Sequence, residues 1–160
     1  MHGPTPRRTR RPTCAAAVVL VSLATTVGCT SAGGTGTVDG AEYVTAMEEI
    51  CTTTSRRLEA LPEPPEQIRP TDWAAEVAAS LRAEATAADA LVVTGDVRAD
   101  HRTYVSTVGD LADAYDTLAV SLADDPGSIG PVRDEITSLS LGRDDVAELL
   151  ELPSCRRRSG

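Results

Sequence analysis

From Tyr43 onward a stripe of mostly apolar residues runs through Met47, Ile50, Thr54, Leu58 and Leu61, at successive spacings of four, three, four, four and three. Such spacings keep side chains on one face of an α-helix, whose period is about 3.6 residues, and no two-residue alternation competes with them. Asp39, with Glu42 three residues later, makes a capping-box-like start. The pattern predicts a first helix from Gly40 to Leu61. The prolines of PEPPEQIRP cannot continue it, because each lacks an N–H and clashes with the preceding turn. Thr71 is the expected N-cap of a second helix, which carries Trp73, Val77, Leu81, Ala85, Ala88 and Val92 and ends near Gly95. A third helix begins between Asp96 and Asp100 and carries Tyr104, Val108, Leu111, Tyr115, Leu118 and Leu122 in the cleanest register of the chain. DDPGSIGP breaks the pattern again. A fourth helical region carries Val132, Ile136, Leu139, Val146, Leu149 and Leu150, with Gly142 the point where it bends or splits. Four amphipathic segments joined by Pro and Gly breaks predict an all-α fold. The expected architecture is an antiparallel helical bundle of about four helices over residues 39–155, followed by a basic tail at 156–160.

Residues 1–28 follow a different order: a basic stretch, RRTRR, then apolar or small residues from Cys14 to Val27, then Gly28 and Cys29. Such an order marks a processed export segment. The 14 residues of the apolar stretch are fewer than the roughly 20 of a permanent membrane helix. TTVGC resembles the bacterial lipobox, in which a Gly or Ala precedes the lipidated Cys; Thr26 stands where Leu or Val is usual. The resemblance implies that a signal peptide, residues 1–28, is cut between Gly28 and Cys29. Cys29 would then carry a diacylglyceryl thioether with palmitate-like chains and hold the protein on the cell membrane. The competing reading is an ordinary secretory signal in which Cys29 is a bystander. A twin-arginine export signal in PRRTRR fits less well, since no bulky apolar residue follows the arginine pair at the expected place. Residues 29–38 are rich in Ser, Thr and Gly, too polar and small to offset chain entropy by burial, and read as a flexible tether.

Charge separates the two ends of the chain. The whole sequence carries -9, but without residues 1–28 there remain 11 Arg against 24 acidic residues, a net charge of -13. A chain so acidic repels phosphate backbones, and nucleic acid is excluded as an expected partner. With one Trp, three Tyr and no Phe the core has to be aliphatic and the domain modest.

Export also bears on the cysteines. With Cys14 removed and Cys29 acylated, Cys51 and Cys155 remain, and an oxidising compartment lets two thiols pair in one way. Two buried free thiols, or an intermolecular bond from the tail, are the alternatives. The lipobox, the tether, a first helix reading YVTAMEEICTTTSRRLEALPEPP and a tail reading LGRDDVAELLELPSC together resemble a group of small actinobacterial lipoproteins. That resemblance implies an envelope location and a disulfide between Cys51 and Cys155. It supplies no activity.

Catalytic signatures are sparse. His101 is the single histidine of the mature chain and has no H-x-x-x-H or E-x-x-H partner, so it reads as an exposed or helix-start residue. There is no C-x-x-C-H haem motif, no G-x-S-x-G elbow and no Gly-rich phosphate loop followed by Lys. No cofactor and no metal site is expected. The adjacent pairs Glu48 and Glu49, Asp124 and Asp125, and Asp144 and Asp145 point to different sides of a helix, and read as solvated charge and caps. GRDDVAEL reads as a helix start, with Asp144 and Asp145 near the positive N-terminus. Trp73 reads as a packing anchor, the alternative being a ligand-pocket wall. The expected function is therefore a non-enzymatic, lipid-anchored binding or interaction module. Its partner would be a basic envelope protein or a small ligand. The alternatives are a carboxylate-based enzyme or metal carrier, and an anchored spacer without a ligand.

Overall fold

The computed structural model describes residues 37, 38 and 40–156. Residues 1–36, with the segments read as signal peptide and most of the tether and with Gly28 and Cys29, lie outside the described residues, as do Asp39 and the tail beyond Arg156. The order of elements is a short strand β1 (Thr37–Val38), helix α1 (Gly40–Glu59), helix α2 (Pro70–Asp89), a short strand β2 (Val92–Val93), helix α3 (Arg98–Asp124) and helix α4 (Ile129–Leu149). A 3-10 turn, Pro126–Ser128, precedes α4, and a second, Pro153–Cys155, follows it. The fold is an all-α bundle of four helices. Cross-helix pairs give its directions: Trp73 meets Tyr115 and Glu84 meets Tyr104, so α2 and α3 run antiparallel. Gly142 faces Thr107, and Ser128 bonds Ser121, so α4 returns along α3.

The apolar stripes become the core. Tyr43, Met47 and Cys51 of α1, Val77 and Leu81 of α2, and Tyr104, Val108 and Leu111 of α3 are all buried. Ala74, Ala78, Ala88 and Ala112 are fully enclosed, and their small side chains let α2 and α3 pack along their whole length. Among the described residues no helix is long and apolar enough to cross a membrane.

Several boundaries differ from the sequence expectation. α2 starts at Pro70, with Arg69 as N-cap residue in an extended conformation, so Thr71 lies inside the helix. Proline is well suited to the first helical position because its missing N–H would be unpaired there anyway. Arg69 then closes a two-pronged ion pair on Asp72 at 2.8 and 2.9 Å. α2 ends at Asp89, and Val92 and Val93 pair in parallel with Thr37 and Val38, which were expected to belong to the tether. Gly95, at φ +76°, turns the chain into α3. α4 passes straight through Gly142, so Asp144 and Asp145 stand in its last turns and initiate nothing. Leu149 is 71% exposed, whereas Ala147 and Leu150 face inward.

The end of α4 positions the C-terminus. The Leu152 N–H donates to the Ala147 carbonyl at 2.8 Å and the Glu151 N–H to that of Glu148 at 3.1 Å, with Glu151 at φ 58°. This is a Schellman ending in which Glu takes the left-handed position usually given to Gly. It drives Leu152 into the core and carries Cys155 back to α1.

Candidate functional site

Cys51 and Cys155 form a disulfide that ties α1 to the C-terminal turn across 104 residues. The same junction is held by the Ser154 N–H, which donates to Glu48 Oε1 at 3.0 Å, while Arg156 pairs with Glu148 of α4 at 3.2 Å. Glu48 is thus part of the tail's attachment. Of the other adjacent acids, Asp125 accepts from the Gly127 N–H and Asp144 lies 3.4 Å from Arg143. Glu49, Asp124 and Asp145 are exposed. Among the described residues no three His, Cys, Asp or Glu side chains converge as a metal-binding group.

Beside the disulfide a polar network crosses the bundle. The Tyr104 hydroxyl donates to Glu84 Oε1 at 2.6 Å and lies 3.3 Å from Cys51 Sγ. Burial, and then the Glu84 carboxylate, push the Tyr104 phenol far above its ordinary range, so it stays protonated as a donor. Glu84 and Arg143 also line a cavity of about 170 Å³ bounded by the disulfide, Ser55 and Ser154. Arg143 Nε is buried there without a hydrogen-bond partner among the described residues.

Nearer the N-terminal end of α3 sits His101, which is 5% exposed. It stands in the first turn of α3, as the helix-start reading has it, but it is buried and not exposed. Its Nδ1 lies 3.3 Å from the Tyr43 hydroxyl, and its ring also bonds the Ala88 backbone. Burial lowers the His101 pKa, outweighing the opposite pull of Asp89 and of the Ala88 bond. Tyr43 is itself pushed up to about 12, by burial and then by Asp100. A neutral imidazole accepting from a protonated phenol satisfies both groups without charge.

Glu84, His101 and Arg143 were all legible as exceptions on apolar stripes. Glu84 falls between Leu81 and Ala88, His101 three residues before Tyr104, and Arg143 between Ser140 and Ala147. A polar side chain at such a position has to find a partner in the core.

A crevice of about 480 Å³ opens at the other end of the bundle, where α2 begins, α3 ends and α4 begins. Its walls are apolar: Trp73, Tyr115, Leu118, Leu122, Ile129 and Ile136. Trp73 meets Tyr115 edge-on, with ring centroids 6.1 Å apart, so it is at once a packing residue and a wall of the crevice. Arg133 supplies the charge in the lining, and the Thr137 hydroxyl is turned back to the Arg133 carbonyl at 2.9 Å. Leu118 lies 17 residues beyond His101 on α3, which at about 1.5 Å per residue puts the crevice some 25 Å from the β1–β2 end. A comparison with known proteins found no matching family model, no matching curated protein and no matching solved structure.

Proposed function

We propose that this is a lipid-anchored envelope protein of the actinobacterial type that works as a binding module, with the crevice between Trp73 and Ile136 as its recognition site. The lipobox-like TTVGC supports the anchor: Gly28 and Cys29 form the cleavage site, Cys29 carries the lipid, and the chain reaches the membrane through that lipid. The observation that carries the binding reading is the crevice itself, an apolar cleft of about 480 Å³ between Trp73, Tyr115, Leu118 and Ile136 with Arg133 at its edge. An apolar cleft of several hundred Å³ with one placed polar group is the common form of a small-ligand site. Binding is favoured over catalysis because Glu84 and His101, the buried groups best suited to proton transfer, are engaged by Tyr104 and Tyr43 inside the core.

The test compares protein in envelope membranes with the purified domain. Thr137→Cys places a thiol on the crevice wall, and Thr103→Cys places one on an exposed control position of α3. The reading expects slower alkylation at position 137 in membranes than in the pure domain, with no difference at position 103. Equal rates at position 137 contradict it.

A further inference from the structure

The lining of the crevice states what kind of molecule would fit. Its walls are aliphatic and aromatic, which demands an apolar body. The exposed guanidinium of Arg133 stands at its edge with no carboxylate paired to it among the described residues, whereas Arg69 is held by Asp72 and Arg82 by Asp113 and Asp116. Arg57, Arg98 and Arg102 are likewise exposed without a carboxylate partner among the described residues, and what sets Arg133 apart is its place in the lining of an apolar crevice. Its guanidinium favours a negative group on the ligand and disfavours a positive one, while the apolar walls take up the rest of the molecule.

We propose that the crevice between Trp73 and Arg133 binds a small organic monoanion with an apolar body, a medium-chain carboxylate being the simplest example. The carboxylate sits on the Arg133 guanidinium and the chain lies against Trp73, Leu118 and Ile136. This rests on the reading of the crevice as the recognition site and adds the ligand class. The Thr137 hydroxyl, already committed to the backbone, leaves Arg133 as the group that sets ligand charge. The same guanidinium disfavours a basic protein partner at this face. A crevice of about 480 Å³ has room for one short chain and not for the two long chains of a bilayer lipid, which favours a dissolved ligand.

Trp73 is the sole tryptophan of the chain and lines the crevice, so its emission reports occupancy directly. The purified domain is titrated with decanoate below its micellar concentration, with decanol, with decyltrimethylammonium and with phosphatidylglycerol vesicles. The expected result is a saturable change with decanoate, at an affinity about tenfold above those of decanol and the cation. Arg133→Gln, a change at the surface, is expected to remove that advantage and leave the decanol affinity unchanged. Arg102→Gln, at the opposite end of the bundle, is expected to leave both unchanged. Equal affinity for decanoate and decanol overturns the anionic class while leaving the crevice a binding site. A response to vesicles without one to decanoate overturns the dissolved ligand in favour of a membrane surface. Silence of Trp73 toward every probe overturns both the ligand class and the recognition site.

Discussion

The Tyr104 hydroxyl donates a 2.6 Å hydrogen bond to Glu84 Oε1 in the interior of the bundle, joining α3 to α2 where Tyr104 is 0% and Glu84 3% exposed. Removing the donor by Tyr104→Phe leaves a buried carboxylate without it and is expected to cost about 2 to 3 kcal/mol. Glu84→Gln keeps an acceptor and is expected to cost about 1 kcal/mol. Because the penalty comes from stranding one partner, the pair Tyr104→Phe with Glu84→Leu should cost less than the sum of its single changes. Chemical denaturation of the parent, Tyr104→Phe, Glu84→Leu and the double variant measures this. Strict additivity would show that the two groups do not act together.

The disulfide closes a long loop. Cys51 and Cys155 are 104 residues apart, and in the chain-entropy model a cross-link of that span stabilises by about 4 to 5 kcal/mol. Cys51→Ala with Cys155→Ala is therefore expected to lower the thermal midpoint more than an ordinary surface substitution, and to lower it as much as reduction of the parent does. Unreduced peptide mapping should link the segment containing Cys51 to that containing Cys155. Free thiols at both positions in protein taken from cells would contradict the pairing.

His101 gives stability a dependence on pH whose sign is fixed by burial. Its pKa in the folded state is below the ordinary value, so the unfolded chain binds its proton more readily. The contribution is full above about pH 6.5, where the ring is neutral in both states, and is lost as pH falls below that value. The groups facing the ring are Tyr43 from α1, Asp89 and the Ala88 carbonyl from α2, and Asp100 beside it on α3 acts on Tyr43. Urea midpoints should fall between pH 7 and pH 5, as bounded by the reference value. In His101→Gln, which keeps an acceptor for the Tyr43 hydroxyl, that fall should be shallower. Identical pH profiles for the two proteins would remove His101 from the account.

Glu151 holds the left-handed position of the α4 ending at φ 58°, a conformation that costs an L side chain about 1 kcal/mol relative to glycine. The side chain is exposed. Glu151→Gly should stabilise by about 0.5 to 1 kcal/mol, less the added freedom of the unfolded chain. A lower denaturation midpoint would mean that the carboxylate makes a contribution of its own.

Much of the bundle was readable because burial repeats at helical spacing. Tyr104, Val108, Leu111 and Leu118 fall in one register, and each is buried. The strand pair was not readable, since Thr37–Val38 and Val92–Val93 are two residues each and no alternation can be seen in so short a run. The start of α2 was misread by two residues because Pro70 was counted as a helix breaker when it serves as the first helical residue. The burial of His101 was missed for a different reason, although its place at a helix start was read. A histidine gives no sign of its environment unless its place on the Tyr104 stripe is weighed, and its two partners, Tyr43 and Ala88, come from other helices. The crevice was half legible: Trp73 stood out, but its meeting with Tyr115 and Arg133 depends on how three helix ends come together.

The proposed place of the protein rests on export and anchoring, and the intact mass of the protein made in a lipoprotein-processing bacterium tests that most directly. The account predicts a mature chain that begins at Cys29, carries diacylglyceryl and further acyl mass on that residue, and is two hydrogens lighter than its reduced form. Cys29→Ser should lose the acyl mass and leave the detergent phase. A mature chain that begins elsewhere, or one that begins at Cys29 without lipid, would contradict the anchored binding module.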